Sequence, residues 1–264
     1  MSEMARLGRE RKPQMLLDQR RGSIRDFVET KGFVSLQEIA ESVGVSESTV
    51  RRDLEYLDRT GQVRRTRGGA AGVGEALPAF DDRQNQALSE KQRVGRKVAE
   101  LIQPGETILL DGGTTTLHVA KHLAGKGVQV VTNSMPIINH LMSVSGIELV
   151  VLGGYLYPRT GVVLGPLTVD ALANLKVRRL IFSVGGITEA GLFNQNSLLV
   201  ETQKQMLDAA DEVILATDSS KFGHSELVHL CPLNRVHKLV VDSGLSDEWR
   251  AIAEKNGIEV VIAD

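Results

Sequence analysis

The sequence predicts a two-domain α/β protein, in which a small helical N-terminal domain precedes a larger domain built on a parallel sheet. Three observations support this fold class. Residues 1 to about 67 are rich in arginine and helical in pattern. Residues 68–80 are dominated by small residues, which favours a linker. From residue 88 onward, short Val, Ile and Leu runs alternate with helical patterns.

Composition narrows the class of protein. The 264 residues are 42% hydrophobic, which is enough to form globular cores. The longest apolar runs fall far short of the roughly 20 residues of a membrane span, and the charged N-terminus lacks the apolar segment of a secretory signal. Cys231 is the single cysteine, so no internal disulfide or cysteine-rich zinc site can form. We therefore expect a cytoplasmic protein without a membrane segment.

Charge is distributed unevenly along the chain. The net charge is −2, but residues 1–69 hold 14 Lys and Arg against 11 Asp and Glu, and 12 of those 14 are arginine. The guanidinium group forms paired hydrogen bonds with phosphate oxygens and guanine edges. A charge of this size also fits an ordinary solvated surface, so the motifs must distinguish the two interpretations.

The N-terminal region contains two helix signatures separated by a glycine turn. Ser35 and Glu38 have the spacing of a capping box at a helix start. Gly44 is suited to end that helix in a left-handed conformation, and Ser46 caps a second helix that extends to about Thr60. Helix, short turn and helix at this spacing predict a helix-turn-helix.

The second helix has an apolar and a polar face. Val50, Leu54 and Leu57 should pack inward, and an arginine-rich hairpin bounded by Gly61 and Gly69 follows the helix. A helical pair with a charged surface is the alternative, but the adjacent arginines and the basic hairpin favour DNA binding. The predicted DNA-contacting residues are Ser35, Ser46, Ser48, Thr49, Arg51, Arg52, Arg64, Arg65 and Arg67.

The C-terminal region predicts seven strands, most of them continuously apolar, as in a sheet covered on both faces. The predicted strands are residues 107–110, 128–132, 148–152, 180–184, 213–217, 238–241 and 259–262. A helix with a Ser89–Gln92 capping box precedes them. Further helices are predicted at about 114–124, 166–175, 197–210 and 246–255.

Polar and glycine-rich segments follow several of these strands. Residues 111–116 read Asp-Gly-Gly-Thr-Thr-Thr between a strand and a helix, where backbone amides and hydroxyls suit an anion. The segment lacks the pattern of a Walker loop or of a dinucleotide-binding loop. A structural turn with threonine caps is equally compatible with it. Because ligands collect at the carboxyl ends of parallel strands, several such ends together predict one small anionic ligand.

Both regions resemble the DeoR family of bacterial sugar-metabolism regulators. The N-terminal resemblance rests on Val45-Ser46-x-x-Thr49-Val50-Arg51-Arg52-Asp53-Leu54-x-x-Leu57, on Gly61, and on Arg65-x-Arg67-Gly68-Gly69-Ala70. The C-terminal resemblance rests on Asp111-x-Gly113-Thr114-Thr115, Thr132-Asn133, Gly153-Gly154, Gly165 and Asp218-x-Ser220-Lys221-Phe222-Gly223. Three positions depart from the family pattern: Arg67 replaces a usual histidine, residues 183–186 replace an Ala-Asp-Gly segment, and Gln203 replaces a common lysine.

The resemblance implies a domain organisation and a function. A winged helix-turn-helix would span residues 13–70, with its motif at 34–53, followed by a linker at 71–87. An effector-binding domain similar to ribose-5-phosphate isomerase would span 88–264. The expected effector-binding residues are Asp111, Gly113, Thr114, Thr115, Thr116, Thr132, Asn133, Gly153, Gly154, Gly165, Gly185, Lys204, Asp218 and Lys221.

We therefore expect a DNA-binding transcriptional regulator, usually a repressor in this family, controlled by a phosphorylated sugar. Its partners would be operator DNA, the sugar effector and a second copy of the chain, as a homodimer or homotetramer. No cofactor or metal is expected: His118 and His122 are four apart on a predicted helix, but Val119 stands where a zinc protease needs Glu, so a surface or core role is favoured for the pair. The alternative is a sugar-phosphate isomerase or deaminase, but Glu189 is the nearest acid to Ser183–Gly186, where such enzymes carry carboxylates.

Overall fold

The computed structural model describes residues 16–31, 33–65, 69–71 and 80–264. The chain divides into two compact units, Met1–Ala76 and Leu77–Asp264, which we call the N-terminal unit and the C-terminal unit. None of the helices in these ranges combines the length and the apolar character needed to span a bilayer.

The N-terminal unit consists of three helices and a small antiparallel sheet. Its elements are α1 (Leu17–Lys31), β1 (Phe33–Ser35), α2 (Leu36–Val43), α3 (Glu47–Arg59), β2 (Arg64–Arg65) and β3 (Gly69–Ala71). The strand order is β1-β3-β2, so the hairpin of β2 and β3 packs beside β1. Ile24, Ile39, Val50, Leu54 and Leu57 are buried together in its core.

The predicted capping devices of this unit are confirmed. Ser35 and Glu38 form both hydrogen bonds of a capping box at the start of α2. Gly44 ends α2 with φ of 69°, a left-handed conformation that glycine adopts without a Cβ clash. Ser46 accepts a hydrogen bond from the Thr49 amide and caps α3. The turn that separates the two helices is therefore determined by local sequence.

Within the described residues, the C-terminal unit is an α/β domain with twelve further strands, some of which form short hairpins. Its helices are α4 (Phe80–Asn85), α5 (Leu88–Leu101), α6 (Thr114–Ala120), α7 (Met135–Leu141), α8 (Pro166–Ala173), α9 (Ser197–Ala209) and α10 (Asp247–Lys255). Its strands are β4 (Thr107–Leu110), β5 (Val128–Thr132), β6 (Ile147–Val151), β7 (Tyr155–Tyr157), β8 (Val162–Leu164), β9 (Val177–Phe182), β10 (Gly186–Thr188), β11 (Gly191–Asn194), β12 (Ala210–Ala216), β13 (Val228–Cys231), β14 (Lys238–Asp242) and β15 (Glu259–Ala263).

All seven predicted strands belong to one parallel sheet, with the order β15-β14-β12-β9-β4-β5-β6. Successive side chains point to opposite faces: Leu180 and Phe182 join one buried cluster, whereas Ile181 joins the other. The continuous apolar runs are thus explained by burial on both faces. This confirms the predicted α/β class with a helix-turn-helix unit at the N-terminus.

Several boundaries differ from the sequence-based expectation. β9 begins three residues before the predicted start, because the charged Arg178 and Arg179 interrupt the apolar pattern. Arg179 forms ion pairs with Glu106 at 2.7 Å and with Glu212 at 2.6 Å. The short strands β7, β8, β10, β11 and β13 and helix α7 were not predicted. Their three- to seven-residue lengths are too short for periodicity to show.

Two details of the structure near residue 88 differ from the sequence-based expectation. Helix α5 begins at Leu88 without a side-chain cap, because Ser89 lies inside the first turn and donates to the Glu90 carboxylate at 2.8 Å. The range 71–87 expected as a linker contains helix α4, whose Phe80 amide donates to the Arg159 carbonyl at 3.1 Å. Residues 72–79 lie outside the described part of the chain.

Candidate functional site

Helix α3 of the N-terminal unit exposes a polar surface at its start. The Ser46 hydroxyl lies 2.9 Å from that of Ser48 and 3.0 Å from that of Thr49. Arg51 and Arg52 are exposed on the next turn, and the Arg51 guanidinium lies 3.6 Å from Glu47 in a solvated i,i+4 pair. Exposed hydroxyls and guanidinium groups on the second helix of such a motif suit contacts with phosphates and base edges.

The β2–β3 hairpin follows α3 and has the position of a wing. The Arg65 amide donates to the Asp58 carboxylate at 3.0 Å, which fixes the hairpin against the end of α3. The Arg65 side chain is exposed. Arg67 lies outside the described residues, as does the side chain of Arg64. Ser35 uses its hydroxyl to donate to Glu38 at 2.7 Å, so the described contact of this side chain is the helix cap.

Asp53 is a buried acid in α3 that sequence analysis did not assign. Its two carboxylate oxygens accept from the Nε of Arg20 at 2.6 Å and the Nε of Arg21 at 3.2 Å, both on α1. The Arg21 guanidinium also stacks 3.8 Å from the centroid of the Tyr56 ring. These contacts fix α3 against α1. Its position three residues after Val50 lies on the inward face of α3, but an aspartate is ordinarily expected on the surface, so the pattern did not single it out.

The C-terminal unit contains a cavity of about 200 Å³ beside the carboxyl ends of β4 and β9. Glycine, hydroxyl, amide and charged groups dominate its wall. The lining residues are Arg83, Gln86, Lys91, Gly112, Gly113, Thr114, Thr115, Thr160, Val162, Ser183, Val184, Gly185, Asn194, Gln195, Leu199, Gln203, Lys221 and Glu226. The structure therefore brings together Gly113, Thr114, Thr115, Gly185 and Lys221 of the expected effector site.

The turn between β4 and α6 forms one wall of this cavity. A Cβ atom at Gly112 would lie 2.0 Å from Cγ1 of Val162, so only glycine lets the turn approach β8 this closely. The buried Asp111 accepts from the Gly112 amide at 2.7 Å and holds the turn in place. Thr114 and Thr115 follow directly and line the cavity.

A chain of buried hydrogen bonds lies behind the cavity wall. Gln203 Nε2 donates to Asp111 Oδ2 at 2.7 Å, and Asn194 Nδ2 donates to Gln203 Oε1 at 2.7 Å. The Gly185 amide donates to Asn194 Oδ1 at 2.8 Å. A carboxylate can only accept, so it orients the amide of Gln203 and, through it, that of Asn194. Burial raises the pKa of Asp111 to about 6, and the Gln203 and Gly112 hydrogen bonds oppose that rise.

Three cationic side chains and one carboxylate line the cavity. Arg83 comes from α4, Lys91 from α5, and Lys221 from the turn after β12. Burial lowers the pKa of Lys91 to about 8. Glu226 is the one carboxylate among the cavity-lining residues that the structure describes, and it accepts from Gln195 Nε2 at 3.0 Å. The balance of charge on the lining side chains is therefore positive.

Three residues that were expected to bind the effector donate hydrogen bonds to backbone carbonyls and do not line the cavity. The Thr116 hydroxyl donates to the Gly113 carbonyl at 3.0 Å inside α6. The Thr132 hydroxyl donates to the Leu110 carbonyl at 2.6 Å, and Asn133 Nδ2 donates to the Val163 carbonyl at 3.0 Å. Thr132 and Asn133 thus join β5 and the residue after it to β4 and β8, whereas Thr116 bonds within the first turn of α6.

Three expected glycines are explained by chain geometry near β7 and α8, outside the cavity wall. A Cβ atom at Gly154 would lie 2.2 Å from the Thr168 hydroxyl, which itself donates to the Gly153 carbonyl at 2.8 Å. Gly165 precedes α8 with φ of 93°, a region that favours glycine. None of the three belongs to the residues that line the cavity.

Lys204 and Asp218 also lie outside the cavity lining. Lys204 is exposed on α9. The preceding residue, Gln203, is buried and lines the cavity, so the lining residue stands one position before the predicted one. Asp218 accepts from the Ser220 amide at 3.2 Å and caps the short helical turn that carries Lys221. It therefore positions a lining residue.

Sequence analysis missed the lining residues Arg83, Lys91, Gln195, Gln203 and Glu226. A signal was present for Lys91, which continues the inward stripe of Val94 and Val98 at spacings of three and four. The remaining four reach the cavity through the tertiary fold. No cluster of potential metal ligands occurs within the described ranges.

The arrangement defines the class of protein. A helix-turn-helix unit with exposed arginines precedes an α/β unit with a polar, cationic cavity, which is the organisation of a DNA-binding regulator with a small-molecule domain. The sequence profile of the DeoR-like helix-turn-helix domain matches residues 20–75, and that of the DeoR C terminal sensor domain matches residues 86–243. The chain belongs to the DeoR family and is a DNA-binding transcriptional regulator, as predicted.

Curated relatives match along almost the whole chain. The HTH-type transcriptional repressor GlcR of Bacillus subtilis is 29% identical, over 95% of this chain and 98% of its own length. The HTH-type transcriptional regulator IolR of the same organism is 30% identical, over 90% and 96%. Among solved structures, ribose 5-phosphate isomerase A of Methanocaldococcus jannaschii is 19% identical over 50% of this chain and 53% of that chain, with a TM-score of 0.36.

Proposed function

We propose that the chain is a cytoplasmic transcriptional repressor whose operator affinity is controlled by a phosphorylated sugar bound in the cavity. The cavity composition is the observation that carries this proposal. Arg83, Lys91 and Lys221 supply positive charge for a phosphate group, while Thr114 and Thr115 supply hydroxyl groups for the sugar. The name of one relative, the HTH-type transcriptional repressor GlcR, supports the assignment as a repressor.

DNA recognition is assigned to α3 and the wing. Arg51 and Arg52 would contact phosphates and base edges, with the hydroxyls of Ser46, Ser48 and Thr49 at the start of the helix. Ser35, Arg64, Arg65 and Arg67 remain predicted contacts to the DNA backbone. The effector can alter operator affinity only if it binds one of two protein states more tightly.

We further propose binding without turnover in the cavity. Moving a proton between sugar carbons requires positioned acids and bases. Glu226 is hydrogen-bonded to Gln195, and Asp111 lies behind Gln203 with its oxygens occupied by Gln203 and Gly112. The isomerase alternative predicts conversion of an aldose phosphate into a ketose phosphate, which an assay of the purified chain tests directly.

A homodimer or homotetramer is proposed because one small reading head contacts few base pairs. The exposed Leu156 on β7 and Leu167 on α8, 44% and 72% exposed, are the apolar side chains that we propose take part in self-association. Sedimentation velocity on the wild type and on Leu156→Glu plus Leu167→Glu tests this surface. A wild type that sediments as a monomer at micromolar concentration contradicts the proposal.

Fluorescence anisotropy on fragments upstream of the gene and its neighbours tests the function. Protein is titrated at fixed salt, because phosphate contacts make affinity steeply salt-dependent. Pentose and hexose monophosphates, each paired with its unphosphorylated sugar, are then added to the complex. Release or tightening by one phosphorylated sugar is expected. Specific DNA binding that no sugar phosphate alters contradicts the effector assignment.

The double variant Arg51→Ala plus Arg52→Ala tests the recognition helix. Operator binding should be lost while effector binding in the other unit is retained. Arg178→Ala plus Arg250→Ala removes the same charge from exposed positions of the C-terminal unit and serves as the control. Normal operator binding by the first variant shows that the assignment of α3 is wrong.

Lys221→Ala and Thr115→Ala test the cavity, since both side chains line it. Both variants should bind operator normally without effector and require more effector for the same response. Lys204→Ala is the control, because this neighbouring lysine is exposed outside the cavity. Wild-type release of operator by effector in both cavity variants removes the proposed pocket.

A further inference from the structure

Helix α4 connects the cavity to the chain segment that leads from the N-terminal unit. It is the first described element of the C-terminal unit, and eight residues separate Phe80 from Ala71 at the end of β3. Arg83 of α4 and Gln86, just after it, line the cavity. A ligand in the cavity therefore lies beside α4, which is the described element of the C-terminal unit nearest in sequence to the N-terminal unit.

Arg83 lines this cavity and carries a buried donor. Its Nε atom is inaccessible to solvent and has no hydrogen-bond partner among the described residues. Burial also lowers the pKa of this guanidinium. A buried donor without a hydrogen-bond partner is costly, and an anion that accepts from the guanidinium removes that cost. A phosphate is a fitting anion, because its oxygens match the planar fork of arginine donors.

Lys91 joins the cavity floor to the backbone of the same segment. Its Nζ donates to the Arg83 carbonyl at 2.8 Å and to the Gln86 carbonyl at 2.5 Å. An ammonium group has three donors, so one remains for a group in the cavity. The charges of Asp218 and Glu90 attract the ammonium group of Lys91, whereas the charges of Lys221 and Arg83 repel it. An anion between these cations would relieve the repulsion.

Two neutral groups beside the cations complete the site. The Thr160 hydroxyl and Oε1 of Gln195 are buried without a hydrogen-bond partner in the described part of the chain, and both residues line the cavity. Oε1 can only accept, which suits a ligand hydroxyl and not a phosphate oxygen. The wall thus offers donors for a phosphate and an acceptor for a sugar hydroxyl.

We infer that Arg83 binds the phosphate of the effector and that α4, held by Lys91, is the element that reports cavity occupancy to the DNA-binding unit. This inference rests on the proposed function and names the residues that bind and transmit. Binding at Arg83 and at the third donor of Lys91 fixes α4 relative to α5. The ligand then stabilises one position of the connecting segment, which is the differential interaction that regulation requires.

Calorimetric titration of the full chain tests the binding residue. The probes are inorganic phosphate and the sugar monophosphates, each with its unphosphorylated sugar, on wild type, Arg83→Met and Arg93→Met. Arg93 lies on α5 outside the cavity and is the matched control. We expect at least tenfold weaker binding of the phosphorylated probe for Arg83→Met, and unchanged binding for Arg93→Met.

Each other outcome overturns the inference in a distinguishable way. Wild-type binding that Arg83→Met leaves unchanged removes Arg83 from the site but keeps the proposed function. If none of the phosphate-bearing probes binds to the wild type, the inference and the proposed function are overturned together.

Hydrogen exchange of the full chain tests transmission through α4. Saturating ligand should slow amide exchange in peptides that cover residues 80–87. In Lys91→Met, which loses the bonds to the Arg83 and Gln86 carbonyls, exchange there should already be faster without ligand. Unchanged exchange of residues 80–87 in the ligand-saturated wild type overturns the role of α4, even where Arg83→Met weakens binding.

Discussion

Replacement of Gln203 by methionine tests whether the buried hydrogen-bond chain organises the effector unit. Gln203 is buried and bonds Asp111 and Asn194, each at 2.7 Å. Methionine has a similar length but cannot form either bond. Loss of a hydrogen bond to a charged group costs about 1.5–3 kcal/mol, and loss of a neutral one about 1 kcal/mol. After the gain from burying an apolar side chain, we expect a loss of about 3 kcal/mol in unfolding free energy near pH 8.

The dependence of this loss on pH follows from Asp111. Its pKa in the folded unit is about 6, above the ordinary value of 3.8. The stabilisation that protonated Asp111 contributes to the folded unit is therefore fully present below about pH 4 and is lost as the pH rises through about 6. Gln203→Met removes a donor that stabilises the carboxylate, so the pKa rises further. The difference between variant and wild type should grow from pH 5 to pH 8.

Urea unfolding followed by tryptophan fluorescence measures this loss in the correct unit. The chain has one tryptophan, Trp249 on α10, so the signal reports on the C-terminal unit. Lys204→Met changes the exposed neighbouring residue and is the control. A loss below about 1 kcal/mol, or a loss equal to that of the control at both pH values, would refute the structural role of the chain of bonds.

Further predictions concern both units. Asp53→Ala should destabilise the N-terminal unit by about 2 kcal/mol, because it leaves two partly buried arginines unpaired; an unchanged calorimetric transition for that unit contradicts this. Gly95→Ala should cost about 1–3 kcal/mol in urea unfolding, since its Cβ would lie 2.6 Å from Cβ of His118. Gly153→Ala, with no atom within 4 Å of the new Cβ, is the control. Effector affinity should fall as pH rises through about 8, where Lys91 loses its charge, and Lys91→Met should abolish that dependence; an identical pH profile in both proteins shows that another group titrates.

Much of the fold followed from the sequence because its determinants are local. The capping box of Ser35, the left-handed Gly44 and the cap of Ser46 each act within five residues, so their pattern predicted both helices of the motif. The seven sheet strands were predicted because both faces are buried and their sequences are continuously apolar. β9 was misplaced where Arg179 enters the sheet, since its compensating carboxylates come from distant segments.

The candidate site was predicted less completely. Gly113, Thr114 and Thr115 were found because a glycine-threonine turn after a strand has a recognisable pattern. Gly154 and Thr132 have equally suggestive patterns, but they serve packing and backbone hydrogen bonds. Identical residue types at strand ends thus served two purposes that only their neighbours in space could distinguish.

The sequence by itself determined the family, the helix-turn-helix and the parallel sheet, since these depend on short-range periodicity and local motifs. The tertiary structure decided which polar groups share a cavity. Arg83 and Glu226 are separated by more than 140 residues along the chain but line the same wall. Their convergence depends on strand order and on helix packing, because the energy of a buried charge is set by partners that the folded chain brings to it.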